Sequence, residues 1–191
     1  VEISNGNNSK VALTIGKGTA VSGSLVDGGN GDKVTVTKDN SVDVTAPDGY
    51  KWVDGEAGQT LAKIVMVAEV NGKQYETLQA AIDAAGRKQT VKLLKDTTEN
   101  VTMATPYLTL DLNGHTLNGS TGERKPALTV TARVTVMDSS ADMSGTIMRE
   151  DTEKNSGVSS HYFIDVQVYG WLTFESGNVI NNSGNDAGKG A

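Results

Sequence analysis

Short segments in which apolar residues alternate with threonine recur along the chain and predict β-strands. Residues 34–37 read Val-Thr-Val-Thr, and an apolar-Thr-apolar pattern returns at residues 108–112, 133–136 and 171–174. Alternation with a period of two places successive side chains on opposite faces of a strand. Gly, Asn and Asp fill the gaps between these segments, and these residues favour turns. The pattern therefore predicts an all-β chain of short strands.

One segment has the periodicity of a helix instead. Four apolar residues stand at positions i, i+3, i+4 and i+7, which places them on one helix face. Thr77 suits the N-cap, and Gly86 stands where a left-handed residue commonly follows a helix. A helix of about nine residues is not stable alone in water, so we predict a helix at 77–85 that packs on an apolar surface. The four apolar residues are Leu78, Ala81, Ile82 and Ala85.

A longer motif occurs three times after residue 100. Each copy has an apolar-Thr-apolar strand, a polar corner with a glycine, and a second apolar strand. The corner glycines are Gly114, Gly145 and Gly177, which lie 31 and 32 residues apart. Repetition at this period is typical of solenoids, whose stacked coils share a core that one coil cannot form alone. The motif favours a parallel β-helix, and the alternative is a β-sandwich with a hairpin turn at Asn113-Gly114.

The charge and the residue content exclude several classes of function. The chain has 17 Lys and Arg against 23 Asp and Glu, a net charge of −6, and no Cys. A protein that binds nucleic acid or anionic lipid through its charge needs a basic face, so we expect no nucleic-acid partner. The absence of Cys excludes disulfides and thiolate chemistry. No apolar run reaches the roughly 18 residues of a membrane span, so we expect no membrane insertion.

The same patterns predict how the chain is divided. Residues 1–64 contain short strands separated by Gly, Asn and Asp, and we predict that they end a preceding β-rich unit. Residues 65–191 would hold the helix and the first coils of the solenoid. Neither end carries a terminal signal, so we predict a fragment of a longer polypeptide. An open coil end would expose unpaired backbone groups and allow self-association.

Three stretches resemble a repeat unit of large β-helix surface proteins of gut Gram-positive bacteria, in the pectate-lyase-like superfamily. They read VAEVNGKQYETLQAAIDAA at 67–85, TVKLLKDTTENVTM at 90–103 and LTLDLNGHTLNG at 108–119. The resemblance implies a right-handed, single-stranded parallel β-helix whose N-terminal mouth is covered by a short capping α-helix. It also implies an extracellular or cell-surface location. The superfamily includes lyases, hydrolases and passive adhesins, so the fold alone does not define an activity.

Three acidic residues are the candidates for catalysis. Asp111, Asp138 and Glu175 each follow the strand of one copy, so they are expected to stack in a column. Such a column could supply the acid and base of a glycoside hydrolase or, as the resemblance implies for lyases, hold calcium. The alternative is that they are solvated turn residues. The hydrolase sequence Gly-His-Gly is missing, because Thr116 follows His115. We therefore expect a non-catalytic protein with no cofactor, and a polysaccharide lyase or glycoside hydrolase is the alternative.

Aromatic residues form the candidate ligand-binding group. Tyr162, Tyr169 and Trp171 lie within ten residues of a chain that contains only 5% aromatics. Flat aromatic rings can stack on sugar rings, although the same residues could pack in the core. We therefore expect an adhesin-like fragment of an extracellular bacterial surface protein. Its expected partners are glycans or a host surface protein.

Overall fold

A computed structural model describes residues 2–3, 11–18, 26–27, 34–56, 58–119, 125–149 and 164–181. The chain divides into two compact units, Val1–Val65 and Met66–Ala191. Strands predominate in both units, and the described residues contain one short helix. No helix among these residues is long and apolar enough to cross a membrane.

The described residues of the first unit form two small sheets. Strands β1 and β3 pair in parallel, and the other four form a sheet in the order β2-β4-β6-β5. In that sheet β2 and β4 run parallel, whereas β6 is antiparallel to both β4 and β5. The six strands are β1 (Glu2–Ile3), β2 (Val11–Ile15), β3 (Val26–Asp27), β4 (Val34–Lys38), β5 (Tyr50–Gly55) and β6 (Gly58–Lys63).

The core of the first unit is small and is completed by polar contacts. Its buried residues are aliphatic, and Trp52 packs against them. The indole N–H of Trp52 donates to the carbonyl oxygen of Val44 at 2.8 Å. Lys38 is buried, and its ammonium donates to the carbonyl oxygen of Val42 at 2.7 Å while lying 5.4 Å from the centre of the Trp52 ring. These bonds fasten the segment after β4 to the sheet. The aliphatic residues are Ile15, Val36, Val42 and Val44.

In the second unit, the described residues form a hairpin and a helix and then eleven strands. The hairpin consists of β7 (Ala68–Val70) and β8 (Lys73–Tyr75), and the helix is α1 (Leu78–Ala84). The strands that follow are β9 (Thr90–Leu93), β10 (Thr97–Thr98), β11 (Val101–Met103), β12 (Thr109–Asp111), β13 (Thr116–Gly119), β14 (Leu128–Val130), β15 (Arg133–Met137), β16 (Thr146–Arg149), β17 (Ile164–Val166), β18 (Trp171–Phe174) and β19 (Asn178–Asn181).

From β9 onward, the chain visits three sheets in rotation. The first sheet contains β9, β12, β15 and β18, the second contains β10, β13, β16 and β19, and the third contains β11, β14 and β17. Every pairing between these strands is parallel. The hairpin β7-β8 extends the first sheet beyond β9 in antiparallel pairing. From β12 onward, every strand therefore pairs with the strand three places earlier in the chain.

The core of the second unit lies on the inward side of these sheets. In the first sheet, Leu110 pairs with Val91 on one side and with Val136 on the other, and Val136 pairs with Phe174. The three aliphatic residues are completely buried, and Phe174 packs against the cluster at the edge of the described strands. In the second sheet, Leu117 pairs with Ile147, and both are also fully buried. Apolar columns of this kind are what period-two alternation produces when identical faces stack.

The helix α1 covers one side of this core, where Leu78, Ala81 and Ile82 are buried. Thr77 is its N-cap, as predicted, and the Thr77 hydroxyl accepts the amide N–H of Ala80 at 3.2 Å. The prediction for Gly86 was wrong, because Gly86 does not have a positive φ. The C-cap before it, Ala85, is extended (φ −78°, ψ 133°). No left-handed residue is therefore needed at that point.

Two side chains attach the start of α1 to β11 and its neighbours. The carboxylate of Glu99 accepts the amide N–H groups of Leu78 at 2.8 Å and Gln79 at 3.1 Å, which have no partner within the helix. The side-chain amide of Gln79 accepts from the N–H of Thr102 at 2.7 Å and donates to the carbonyl oxygen of Thr102 at 3.2 Å. The Gln79 amide therefore occupies the place that a peptide group of another strand would take beside β11.

The hairpin expected in the β-sandwich alternative is not present. Asn113 and Gly114 do form a turn, with φ of 48° and 78°. The strands on either side, β12 and β13, belong to different sheets and do not pair with each other. At the far side of the stack, β17, β18 and β19 lie at the edges of their sheets among the described residues. Self-association through that side remains a prediction.

Replacement of Glu99 tests the attachment of α1. We expect Glu99→Gln to lower the free energy of unfolding by about 1–3 kcal/mol, because an amide cannot accept all the bonds that this carboxylate accepts. The measurement is urea denaturation followed by circular dichroism. Glu175→Gln is the matched control, since it removes the same charge from an exposed side chain. Equal stability of the two variants would contradict this account.

Candidate functional site

Asp111, a catalytic candidate of the enzyme alternative, is a buried and hydrogen-bonded side chain. Its side chain is 5% exposed, and its oxygens accept three hydrogen bonds. The donors are the amide N–H of Asn113 at 3.0 Å, the amide N–H of Ser139 at 2.9 Å and the hydroxyl of Ser139 at 2.7 Å. The carboxylate thus joins the corner after β12 to the equivalent corner one strand further along the first sheet. Both oxygens of Asp111 therefore take part in holding the two corners together.

Asp138 is held in a similar way at the next corner, where it is 4% exposed. Its carboxylate accepts the amide N–H groups of Gly114 at 2.8 Å, Ser140 at 3.0 Å and Gly145 at 2.5 Å. Burial by itself raises the pKa of Asp138, but the bonds from Ser140, Gly114 and Gly145 outweigh it and hold the pKa below its ordinary value. Asp138 is therefore ionised at neutral pH and has no proton to give as a general acid.

The three acids do not form the predicted column. Asp111 pairs with Met137, so Asp138 lies one position beyond Asp111 along the strands. Val136 pairs with Phe174, which places Glu175 opposite Met137 and therefore in line with Asp111. A shift of one residue turns a side chain to the other face of a sheet. The extra residue Met137 between the apolar-Thr-apolar pattern and Asp138 causes this shift. Glu175 is exposed, whereas the two aspartates are buried.

This arrangement does not assemble a catalytic or metal-binding centre from the predicted acids. Asp111 and Asp138 are buried and accept hydrogen bonds at the corners, whereas Glu175 is exposed, so the three do not have the shared surroundings of paired glycosidase carboxylates. Among the residues that the structure describes, no three His, Asp or Glu side chains come together as metal ligands. A role for calcium remains untested.

The predicted aromatic group is described only in part. Tyr162 lies outside the described residues. Tyr169 is 94% exposed and has a φ of 76°, and Trp171 at the start of β18 is 62% exposed. Neither is buried in the core, which was the alternative reading of these residues.

Trp171 belongs to a row of alternating cations and aromatic rings, which we call the cation–aromatic ladder. The guanidinium carbon of Arg133 lies 5.6 Å from the ring centre of Trp171 and 5.7 Å from that of Tyr107. The guanidinium carbon of Arg87 lies 4.5 Å from the centre of the Tyr107 ring. The ladder therefore consists of Arg87, Tyr107, Arg133 and Trp171. Each such contact contributes about 0.5–1 kcal/mol at an exposed site.

The register of the first sheet builds this ladder. Arg133 and Trp171 are direct partners in β15 and β18. Tyr107 precedes Thr109 by two residues, and Thr109 pairs with Thr135, which places Tyr107 beside Arg133. The amide N–H of Tyr107 also donates to the carbonyl oxygen of Arg133. A left-handed backbone at Tyr107 (φ 62°) sets its ring at the start of the strand.

A column of threonines runs beside the ladder on the same outward face. Thr109 pairs with Thr90 and with Thr135, and Thr135 pairs with Thr173. The side chains in such a column repeat at the spacing of neighbouring strands, about 4.8 Å. All four residues are at least partly exposed. The column provides a row of hydroxyl groups next to the aromatic rings.

The ladder is locally cationic although the whole chain is acidic. The guanidinium groups of Arg87 and Arg133 form no hydrogen bond or ion pair with another residue that the structure describes. Lys88 is exposed next to Arg87. The carboxylates of this sheet lie on the other side of the threonine column, in the row that contains Lys92. They are Glu69, Asp111 and Glu175.

Sequence reasoning found one of the four ladder residues. Tyr107, Arg87 and Arg133 were missed because the ladder members lie 20 to 84 residues apart along the chain. The threonines of the repeated strands could have indicated the ladder, because they show how the strands align. Once Thr109, Thr135 and Thr173 are placed in register, the residues two positions earlier are Tyr107, Arg133 and Trp171.

Comparison with known proteins gives no relative for this chain. No protein-family model matches it, and neither the curated proteins nor the solved structures contain a match.

The acid sensitivity of the fold tests the role of Asp138. A carboxylate whose pKa is lowered by folding stabilises the protein above its unfolded pKa, near the ordinary value of 3.8, and this stability is lost as the pH falls through the folded value. We expect Asp138→Asn to cost about 1–3 kcal/mol at pH 7. The loss should shrink as the pH falls below about 4, because the wild-type protein then loses the same contribution.

Urea denaturation between pH 7 and pH 3 measures this difference. Asp142→Asn is a useful comparison, because the hydroxyl of Ser144 lowers the pKa of Asp142 but the carboxylate is exposed. An unchanged stability difference between wild type and Asp138→Asn at all pH values would contradict the account.

Proposed function

We propose that the second unit is the beginning of a right-handed, single-stranded parallel β-helix of the pectate-lyase-like superfamily, with α1 at its N-terminal mouth. The rotation of the chain through three parallel sheets supports this proposal. The inward apolar columns and the cover that α1 provides for one side of the core support it as well. The first unit would then be the end of a preceding unit in a longer repeat protein.

The function that these features favour is non-catalytic binding of glycans by an extracellular bacterial surface protein. The observation that carries this proposal is the exposed cation–aromatic ladder beside the threonine column. Aromatic rings offer an apolar surface for sugar rings, and hydroxyl and guanidinium groups can exchange hydrogen bonds with sugar hydroxyls. A host surface protein remains the other candidate partner, and its glycans would present the same chemistry.

The alternative, a polysaccharide lyase or glycoside hydrolase, has less support. It requires carboxylates that can accept and release protons beside a substrate groove. Asp111 and Asp138 are buried, and their oxygens accept hydrogen bonds from backbone and hydroxyl donors at the corners.

A glycan array with the purified chain tests the binding function. We expect a set of glycans to bind and Trp171→Ala to weaken that binding about tenfold, because the variant removes the exposed indole of the ladder. Met143→Ala is the matched control, since Met143 is 59% exposed and lies at a corner away from the ladder. Absence of glycan binding, or equal binding by both variants, would count against the proposal.

An activity assay tests the enzyme alternative. The chain is incubated with acidic and neutral polysaccharides, and reducing ends and unsaturated products are measured. We expect no product, because the two aspartates are buried and each carboxylate accepts three hydrogen bonds at its corner. Product that disappears in Asp111→Asn or Asp138→Asn while the fold is retained would establish the enzyme instead.

A further inference from the structure

We propose that the ligand of the cation–aromatic ladder is an acidic glycan, whose carboxylate or sulfate groups bind Arg87 and Arg133. This inference rests on the proposed glycan-binding function and names the chemical class of the glycan. It starts from the two guanidinium groups, which lie in the ladder without a carboxylate partner among the described residues.

Contact with the aromatic rings restricts the positions of the two guanidinium groups before an anion binds. Arg133 lies between Tyr107 and Trp171, and Arg87 lies on the other side of Tyr107. Stacking on a ring uses the flat face of a guanidinium group and leaves its N–H groups at the rim. A carboxylate or sulfate can accept two parallel bonds from such a rim. Little side-chain entropy is then lost on binding, because the rings already restrict the arginines.

The spacing of the two arginines suits a polymer with sparse negative charge. Both guanidinium carbons are close to one ring centre, so they lie no more than about 10 Å apart, or roughly two strand spacings. A glycan with one anionic group per disaccharide presents its charges at a similar interval when it runs across the strands. The threonine column follows the same direction, so its hydroxyls can meet the sugar hydroxyls of successive residues.

The charge distribution favours a glycan over a nucleic acid. Duplex DNA carries one negative charge per about 1.7 Å and is bound through many phosphate contacts. The ladder offers two arginines with Lys88 beside them, and the chain as a whole carries a net charge of −6. Carboxylates at Glu69 and Glu175 also border the face beyond the threonines. These carboxylates would repel a densely charged polymer, whereas a sparsely charged chain can place its anionic groups at the ladder alone.

Calorimetric titration with defined probes tests the inference. The probes are octasaccharides of hyaluronan and of unsulfated chondroitin as acidic glycans with one carboxylate per disaccharide, chitohexaose as a neutral glycan, and a short DNA duplex. We expect at least one acidic glycan to bind more tightly than chitohexaose and DNA, with an affinity that falls as salt is added. The double variant Arg87→Gln/Arg133→Gln should weaken that binding at least tenfold.

A second double variant controls for the loss of charge. Lys63→Gln/Lys95→Gln removes the same two charges from exposed positions outside the ladder, and its affinity should stay within about twofold of wild type. Arg133→Lys should bind less tightly than wild type, since lysine keeps the charge but cannot make two parallel bonds. Thermal melting shows that each variant is folded.

The remaining outcomes separate this inference from the proposed function. Tight binding of chitohexaose that depends on Trp171 but not on the arginines would overturn the acidic-glycan inference and leave glycan binding intact. Equal weakening by the two double variants, or preferred binding of the DNA duplex, would also overturn it. Failure of every oligosaccharide to bind would overturn both.

Discussion

Parallel pairing of each strand with the strand three elements earlier is the constraint on which the rest of the second unit depends. It brings Val91, Leu110 and Val136 into one buried column, and truncation of such a residue to alanine typically costs about 2–5 kcal/mol. The same register acts on the outward side, where it aligns Thr109 with Thr135. The core columns and the surface columns are therefore two results of one hydrogen-bonding pattern. A strand that lengthens the binding surface on the outward side also lengthens the core on the inward side.

The sequence predicted the elements that local patterns encode. Alternation of apolar residues with threonine indicated the strands around Thr109, Thr135 and Thr173, and all three lie in strands of one sheet. The spacing of Leu78, Ala81 and Ile82 indicated the helix. These predictions succeed because period and capping act within a few residues of the chain. The mostly β class follows from the same patterns.

The candidate site was harder to predict because it depends on register. Asp138 was expected beside Asp111, but the additional residue Met137 moved it to the position that Leu112 occupies in the preceding strand. Tyr107 stands outside any strand and has a left-handed backbone, so no local pattern assigns it to a surface. The ladder runs from Arg87, just before β9, to Trp171 in β18, and so follows the starts of four strands of the first sheet. No spacing in the sequence indicates such contacts until the strands are aligned.

The side-chain amide of Gln79 gives the stack a direction. It satisfies both backbone groups of Thr102, so an incoming strand would find no donor or acceptor there. The strands β17, β18 and β19 have no such cover among the described residues. Among the described residues, a further strand of the third sheet can therefore pair at β17 but not at β11. From β12 onward, each strand comes later in the chain than the strand on which it pairs. Folding can then follow synthesis, because every strand emerges after the template on which it pairs.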